Sequence, residues 1–249
     1  MSLYPILEFD DNDDVYIKPH VRVDGLVPIE NLVITFFKEV LNTLIETAQV
    51  EPYIHLKGEN DYTFYKFKDE PTVIFHGGIG GPLCGGMMEE AIAIGVKKIL
   101  FCGGGGTLLK LPVGHCIVID SAIRDEGMSY HYVKASREIQ VNPAIVQMIN
   151  QKLSEEGIPH IIGKAWTTDA FYRETKTRVE RRKREGAAVV EMEQAGLIAV
   201  AQFRKVKYGA IVYAGDDLTN DTWDSRKWQS PTSIRMALVQ FCRDTVKSM

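Results

Sequence analysis

Apolar residues in this chain fall into short unbroken runs separated by stretches with helical spacing. The runs are Leu32–Thr35, Thr72–His76, Lys98–Gly103, His115–Asp120, His160–Thr167, Ala187–Glu191 and Tyr208–Ala214. Several are continuously β-branched rather than alternating, which predicts strands covered on both faces. Helical patterns lie between them: Phe37–Ala48, Cys84–Gly95, Pro143–Glu156, Asp169–Glu185, Gln194–Arg204 and Pro231–Lys247. Strands alternating with helices predict an α/β fold, a single-domain three-layer sandwich about a central mixed, largely parallel twisted sheet. No Pro/Ser/Gly-rich linker divides the chain. Residues 1–249 therefore read as one domain, with 1–17 as a peripheral N-terminal arm.

Sheets of this kind bind ligands at the carboxyl ends of their strands. Here those ends are unusual. Gly77-Gly78-Ile79-Gly80-Gly81-Pro82 follows one run, and Cys102-Gly103-Gly104-Gly105-Gly106-Thr107 ends another. Two further runs stop at Glu191-Met192-Glu193 and at Gly215-Asp216-Asp217. Two glycine clusters and two acidic ends in one sheet predict a small-molecule pocket. The amides of Gly78, Gly103, Gly104 and Gly105 are candidates to hold phosphate or a water there. Neither cluster is a dinucleotide fingerprint or a P-loop. Pro82 follows the first, the second lacks a spaced third glycine, and no Lys-Ser/Thr ending is present. Glu193 is expected at the pocket mouth with a helix behind it. An ionised carboxylate there accepts two hydroxyl protons and so suits a sugar diol. The competing reading is a pair of acids at a solvent-exposed helix start.

Composition narrows the function classes. The 249 residues are 45% hydrophobic and 25% charged, with a net charge of −4. That balance is ordinary for a soluble protein and gives no pull toward nucleic acid or an anionic membrane. The four cysteines show no CxxC pair and read as buried free thiols in a reducing cytoplasm. The acidic start, with no apolar h-region, predicts no signal peptide, and no apolar stretch reaches membrane-spanning length. The six histidines show no metal-ligand spacing, so no metal is expected. The basic run Arg173–Glu185 is interleaved with acids and reads as a solvated helix face. The stretch Asp221–Trp228 reads as a flap over the pocket with Arg226 nearest the site, or else as a packed surface loop.

Taken together, Lys18-Pro19-His20, His76-Gly77-Gly78-Ile79-Gly80-Gly81-Pro82, Gly103–Gly106, Thr167-Thr168-Asp169-Ala170-Phe171-Tyr172, Val190-Glu191-Met192-Glu193 and Gly215-Asp216-Asp217 resemble the nucleoside phosphorylases and nucleosidases of the uridine phosphorylase/purine nucleoside phosphorylase superfamily. The resemblance spans roughly residues 18 to 245. It implies that Met192 and Glu193 bind ribose, with Glu193 on the 2′- and 3′-hydroxyls. It implies that Phe171 walls the base and that Asp216 protonates or hydrogen-bonds a purine. His20 resembles the histidine that reaches a neighbouring subunit's site near the 5′-hydroxyl. A homo-oligomer with shared sites, a dimer or trimer of dimers, follows from that match.

Breaking an N-glycosidic bond builds positive charge on the ribose and negative charge on the leaving base. A carboxylate on the ribose favours the cationic ring, and an acid at the base is worth about 10²–10⁴-fold. For Asp216 to supply that acid near neutral pH, burial or the neighbouring Asp217 must raise its pKa. Inorganic phosphate is the co-substrate in the phosphorylase branch, and no cofactor is expected. Yet the chain departs from that branch at its phosphate site. Phe36-Phe37-Lys38-Glu39 replaces a GDP-x-R-like loop, Phe101 occupies the strand arginine position, and Gly104 the hydroxyl position. An aromatic ring cannot replace a bidentate guanidinium. Candidates for a relocated cation are Arg22, Arg124, Arg137, Arg173 and Arg226. Hydrolytic members resemble this chain in lacking the arginines and activate water with a glutamate, near the position of Glu39. For the base, Asp216 favours a purine, whereas Arg173 and Arg178 keep a pyrimidine open. The motif set points first to phosphorolysis of a purine nucleoside, giving free base and ribose 1-phosphate. Hydrolysis through Glu39, uridine phosphorolysis and a non-catalytic nucleoside-binding protein stay open.

Overall fold

The computed structural model describes residues 2, 4–12, 14–19, 25–58, 61–227 and 232–249. Its strands are β1 (Asn31–Thr35), β2 (Val50–Leu56), β3 (Tyr62–Phe67), β4 (Thr72–His76), β5 (Lys98–Thr107), β6 (Cys116–Asp125), β7 (Glu138–Gln140), β8 (His160–Thr168), β9 (Ala187–Glu191) and β10 (Lys207–Asp217). Its helices are α1 (Lys38–Glu46), α2 (Gly81–Ala93), α3 (Pro143–Glu155), α4 (Lys176–Arg184), α5 (Gln194–Arg204) and α6 (Thr232–Val246). All ten strands form one mixed sheet. The apolar runs become its covered strands: Leu32–Thr35 of β1 and all of β9 are buried. Helix α5 is apolar all round, and Gln194–Ala201 are buried accordingly.

The sheet holds two parallel blocks, β4–β1–β5–β10 and β6–β8–β9. Antiparallel seams join them at β5–β9 and β10–β6. Because β10 pairs with both β5 and β6, the strands β5, β9, β8, β6 and β10 close into a ring, with β1, β4, β3 and β2 as a wing. The glycines of β5 permit this closure. A Cβ on Gly105 would stand 2.6 Å from the Val190 carbonyl oxygen, and one on Gly104 would stand 2.8 Å from the Tyr213 ring. Only glycine allows β9 and β10 this close to β5.

Three strands escape the sequence pattern. β2 and β3 form an edge hairpin with many half-exposed residues, and β7 is a short strand on the edge of β6. The expected helix Asp169–Glu185 is shorter than its pattern. Asp169 instead accepts from the Gly127 amide (2.8 Å), a 3₁₀ turn covers Phe171–Arg173, and the Thr175 hydroxyl caps the start of α4. Helix α6 lies on β5 and β1 beside α1, while α2 packs with α5. The four cysteines are buried and free. Among the described residues no helix is long and apolar enough to cross a membrane.

Candidate active site

Strand β9 ends by turning two carboxylates inward. Glu191 accepts from the Thr167 hydroxyl and from the Glu193 and Gln194 amides at 2.6 and 2.7 Å. It thereby satisfies the first N–H groups of α5, where the helix dipole also favours a negative charge. Glu193 is 5% exposed and accepts from the Gly80 amide at 2.7 Å. Gly80 sits at φ +96° just before α2, a backbone shape that aims its N–H across to Glu193. Burial pushes both carboxyls up, and on Glu193 the neighbouring Glu191 adds to the effect. The extra donors on Glu191 favour the charge there and a proton on Glu193.

Glu193 lines a cavity of about 690 Å³, within the range of small-molecule sites. Met192, Glu191 and Gly104 share its wall with Glu193. Across from them stands a pair from two helices. Glu39 of α1 meets Arg235 of α6 at 2.5 Å. The Arg235 guanidinium is 4.4 Å from the Phe37 ring centroid, and its side chain is 5% exposed. His76, at the end of β4, accepts from the Gly78 amide through Nδ1 (3.2 Å), and burial lowers its pKa, so it enters as a neutral imidazole. The Phe36 ring lies 5.7 Å from His76 and 5.0 Å from Phe101.

Asp216 lies past this cavity on β10. Its Oδ2 accepts from the Trp223 indole at 2.7 Å and would be 3.2 Å from a Cβ on Gly106. Gly106 is two residues along β5 from Gly104. Asp217 points elsewhere. Its burial is outweighed by donation from Thr219, with Arg226 and Lys110 nearby, and its pKa is lowered. Glu174 carries the raised carboxyl instead. Burial, then the neighbouring Asp216, pushes it up to about 7.

The family profile described as the phosphorylase superfamily matches residues 31–240. The chain belongs to this superfamily. It is 26% identical over 167 residues to a purine nucleoside phosphorylase of Plasmodium vivax, covering 65% of this chain and 68% of that one. In fold it is similar to uridine phosphorylase from Vibrio fischeri ES114, with a TM-score of 0.74, 20% identity, and 88% and 92% of the two chains covered. It is also similar to Campylobacter jejuni 5′-methylthioadenosine/S-adenosyl homocysteine nucleosidase, with a TM-score of 0.71, 18% identity, and 89% and 100% covered.

Set against the superfamily motifs, the structure brings Glu193, Met192, Glu39 and Gly104 into one cavity. Other expected residues stand apart from that wall. Gly78 packs on Leu83 and Tyr62, Gly103 on the Phe101 ring, and Gly105 on β9, so these glycines serve close packing. Phe171 is 49% exposed, its ring 4.1 Å from that of Tyr172. Arg173 is exposed beside it. Arg226 is not turned to the cavity. Its guanidinium donates to the Gly215 and Leu111 carbonyls, tying down the hairpin closed by the Asp217–Asp224 bridge. Residues 221–224 of the flap stretch belong to that hairpin, with Trp223 on Asp216.

Most relocated-cation candidates are engaged elsewhere. Arg124 donates to Ser129, Ser136 and two carbonyls, and Arg137 pairs with Glu185. Arg178, kept open as a pyrimidine reader, pairs with Asp125. His20, Arg22, Trp228 and Pro231 lie outside the described residues. Sequence reasoning missed Arg235 and the place of His76 in the cavity. The signal for Arg235 was present: it occupies the buried stripe of α6 with Leu238, Val239, Cys242 and Val246, where an arginine is costly unless paired.

Proposed function

We propose that this protein cleaves the N-glycosidic bond of a nucleoside, and that water is the attacking group. One observation carries the second half of that reading: the cavity lined by Glu191 and Glu193 holds a third carboxylate, Glu39, on its opposite side, clamped by Arg235. A phosphate dianion bound there would face the carboxylates of Glu39 and Glu191, with the buried arginine already paired to a carboxylate. Phe101, at 2% exposure, fills the strand position that the resemblance assigns to a phosphate arginine. Like charges in a partly dry site repel strongly. A water molecule carries no such penalty.

In this scheme ionised Glu193 accepts the ribose 2′- and 3′-hydroxyls, and Met192 packs beside the sugar. The C1′–N bond breaks with its electron pair going to the base, which takes a proton from Asp216. The carboxylates of β9 stabilise the cationic ribose. Water attacks C1′ and gives its proton to Glu39. The products are free base and ribose, with one water consumed. Asp216 supports a purine as the base. A homo-oligomer with shared sites belongs to the same proposal, on the strength of the family resemblance.

Phosphorolysis is the second reading, favoured by the Plasmodium vivax relative. It requires Arg235 to leave Glu39 for the anion. The two separate by assay. Incubation with adenosine, inosine, cytidine, uridine and methylthioadenosine is expected to release free base equally with and without phosphate. Release only on adding phosphate would overturn the water reading. No release from any of them would overturn the cleavage reading.

A further inference from the structure

One wall of the Glu193 cavity is built from aromatic rings over amides that are already engaged. Phe36 follows β1 and lines the cavity half-buried. It lies where β1 and β4 end beside Cys102 and Gly103 of β5, its ring 5.0 Å from that of Phe101 and 5.7 Å from that of His76. Two glycines make room for this cluster. A Cβ on Gly77 would stand 2.5 Å from the Phe36 ring, and one on Gly103 would stand 2.9 Å from the Phe101 ring. The Phe36 amide donates to the Cys102 carbonyl (3.2 Å), the Phe37 amide to the Thr35 hydroxyl (3.2 Å) and the Gly77 amide to the Thr35 carbonyl (2.9 Å). The Gly78 and Gly80 amides donate to His76 and Glu193. The first turn of α1 then brings Glu39, three residues on from Phe36, into the same cavity. Lys38, which also lines it, is exposed.

Such a wall suits an apolar group and offers little to an anion, which needs donors in place of its water shell. A neutral hydroxyl on a small alkyl group meets both halves of the site. Its O–H can give a proton to Glu39 while its carbon rests on the phenyl ring. We propose that the protein has a second activity, the transfer of ribose from a nucleoside to a small primary alcohol, with Phe36 forming the subsite for the alkyl group. The inference rests on the reading of cleavage by water given above, and the alcohol takes the place of that water. The C1′–N bond breaks with its electron pair going to the base, which is protonated as in hydrolysis. The alcohol oxygen forms the new bond to C1′, and its proton passes to Glu39. The products are free base and an alkyl riboside, with one alcohol consumed in place of one water. A cationic ribose reacts with either hydroxyl nucleophile, so the surface beside the attacking oxygen decides which one wins.

The test gives the full chain a cleaved nucleoside in phosphate-free water containing methanol and measures methyl riboside against ribose. This ratio does not depend on how much of a variant folds. It is expected to exceed the mole ratio of methanol to water by at least about tenfold, since one carbon in an apolar pocket is worth about 10–200-fold. Phe36→Leu keeps the apolar surface and is expected to hold the preference. Phe36→Ser removes it and is expected to lower the ratio at least about tenfold. In the unmodified chain, ethanol is expected to compete better than methanol mole for mole, a readout that needs no variant. Free base with ribose alone, or with methyl riboside at no more than the mole ratio, would overturn the transfer and leave cleavage by water standing. An unchanged ratio in Phe36→Ser, or methanol outcompeting ethanol, would overturn the phenyl subsite. Base release only on adding phosphate, or from no nucleoside at all, would overturn the cleavage reading itself and the transfer with it.

Discussion

Single side chains set the chemistry here, and three carboxylates do so in different surroundings. Glu191 is wrapped in donors, Glu193 is buried beside that charge, and Glu39 is held by an arginine. Glu39→Gln keeps the shape but cannot take a proton from water, so kcat is expected to fall by about 10²–10⁴-fold with substrate binding retained. Equal kcat in the variant would remove Glu39 from the reaction. Glu193 must be ionised to accept two hydroxyls, yet burial and Glu191 raise its pKa. The acid limb of kcat/KM is therefore expected above the ordinary carboxylate range. Glu191→Gln still accepts from the α5 amides but removes the neighbouring charge. It should move that limb to lower pH, and a pH–rate profile of the variant decides this. A limb that stays in place would detach the titration from the pair.

At the scale of elements, the site depends on how closely β9 and β10 approach β5. Gly105→Ala places a methyl against the Val190 carbonyl. It is expected to destabilise by about 1–3 kcal/mol and to lower activity by displacing Glu191 and Glu193. Denaturant unfolding together with kcat/KM checks this, and an unaffected midpoint would refute the packing argument. The same strands show what could be read from sequence. Continuous apolar runs, several of them rich in β-branched residues, located β1, β4, β5, β9 and β10, since strands covered on both faces leave that signature. The acidic end Glu191-Met192-Glu193 stood out because carboxylates rarely terminate such a run. Ring closure did not show, because β10 pairing with both β5 and β6 is a matter of register between distant segments. Arg235 escaped for the same reason: it matters through what it faces from another element. Arg226 misled because an arginine beside acids suggests a ligand, while here carbonyls engage its guanidinium.

The whole molecule carries the energetic mark of this site. As a buried pair, Glu191 and Glu193 hold a proton in the fold, chiefly on Glu193, that the unfolded chain has already released near neutral pH. Between the ordinary carboxylate range and their raised values the native state binds more protons, so stability falls as pH rises. The melting temperature is thus expected to drop from about pH 5 to about pH 8 and to do so less in Glu193→Gln. At the upper end the variant should be the more stable, by about 2–4 °C for each kcal/mol in a chain of this size. Parallel melting curves of the two proteins would contradict a buried, proton-holding Glu193. Such a cost is what a site retained for ligand rather than for stability shows. The most direct test of the central claim follows the oxygen: turnover of a cleaved nucleoside in ¹⁸O-enriched, phosphate-free water, with mass spectrometry of the sugar. Free ribose carrying one ¹⁸O at C1′ is the result expected from attack by water in the Glu193–Glu39 cavity. Unlabelled ribose 1-phosphate formed only on adding phosphate would contradict it.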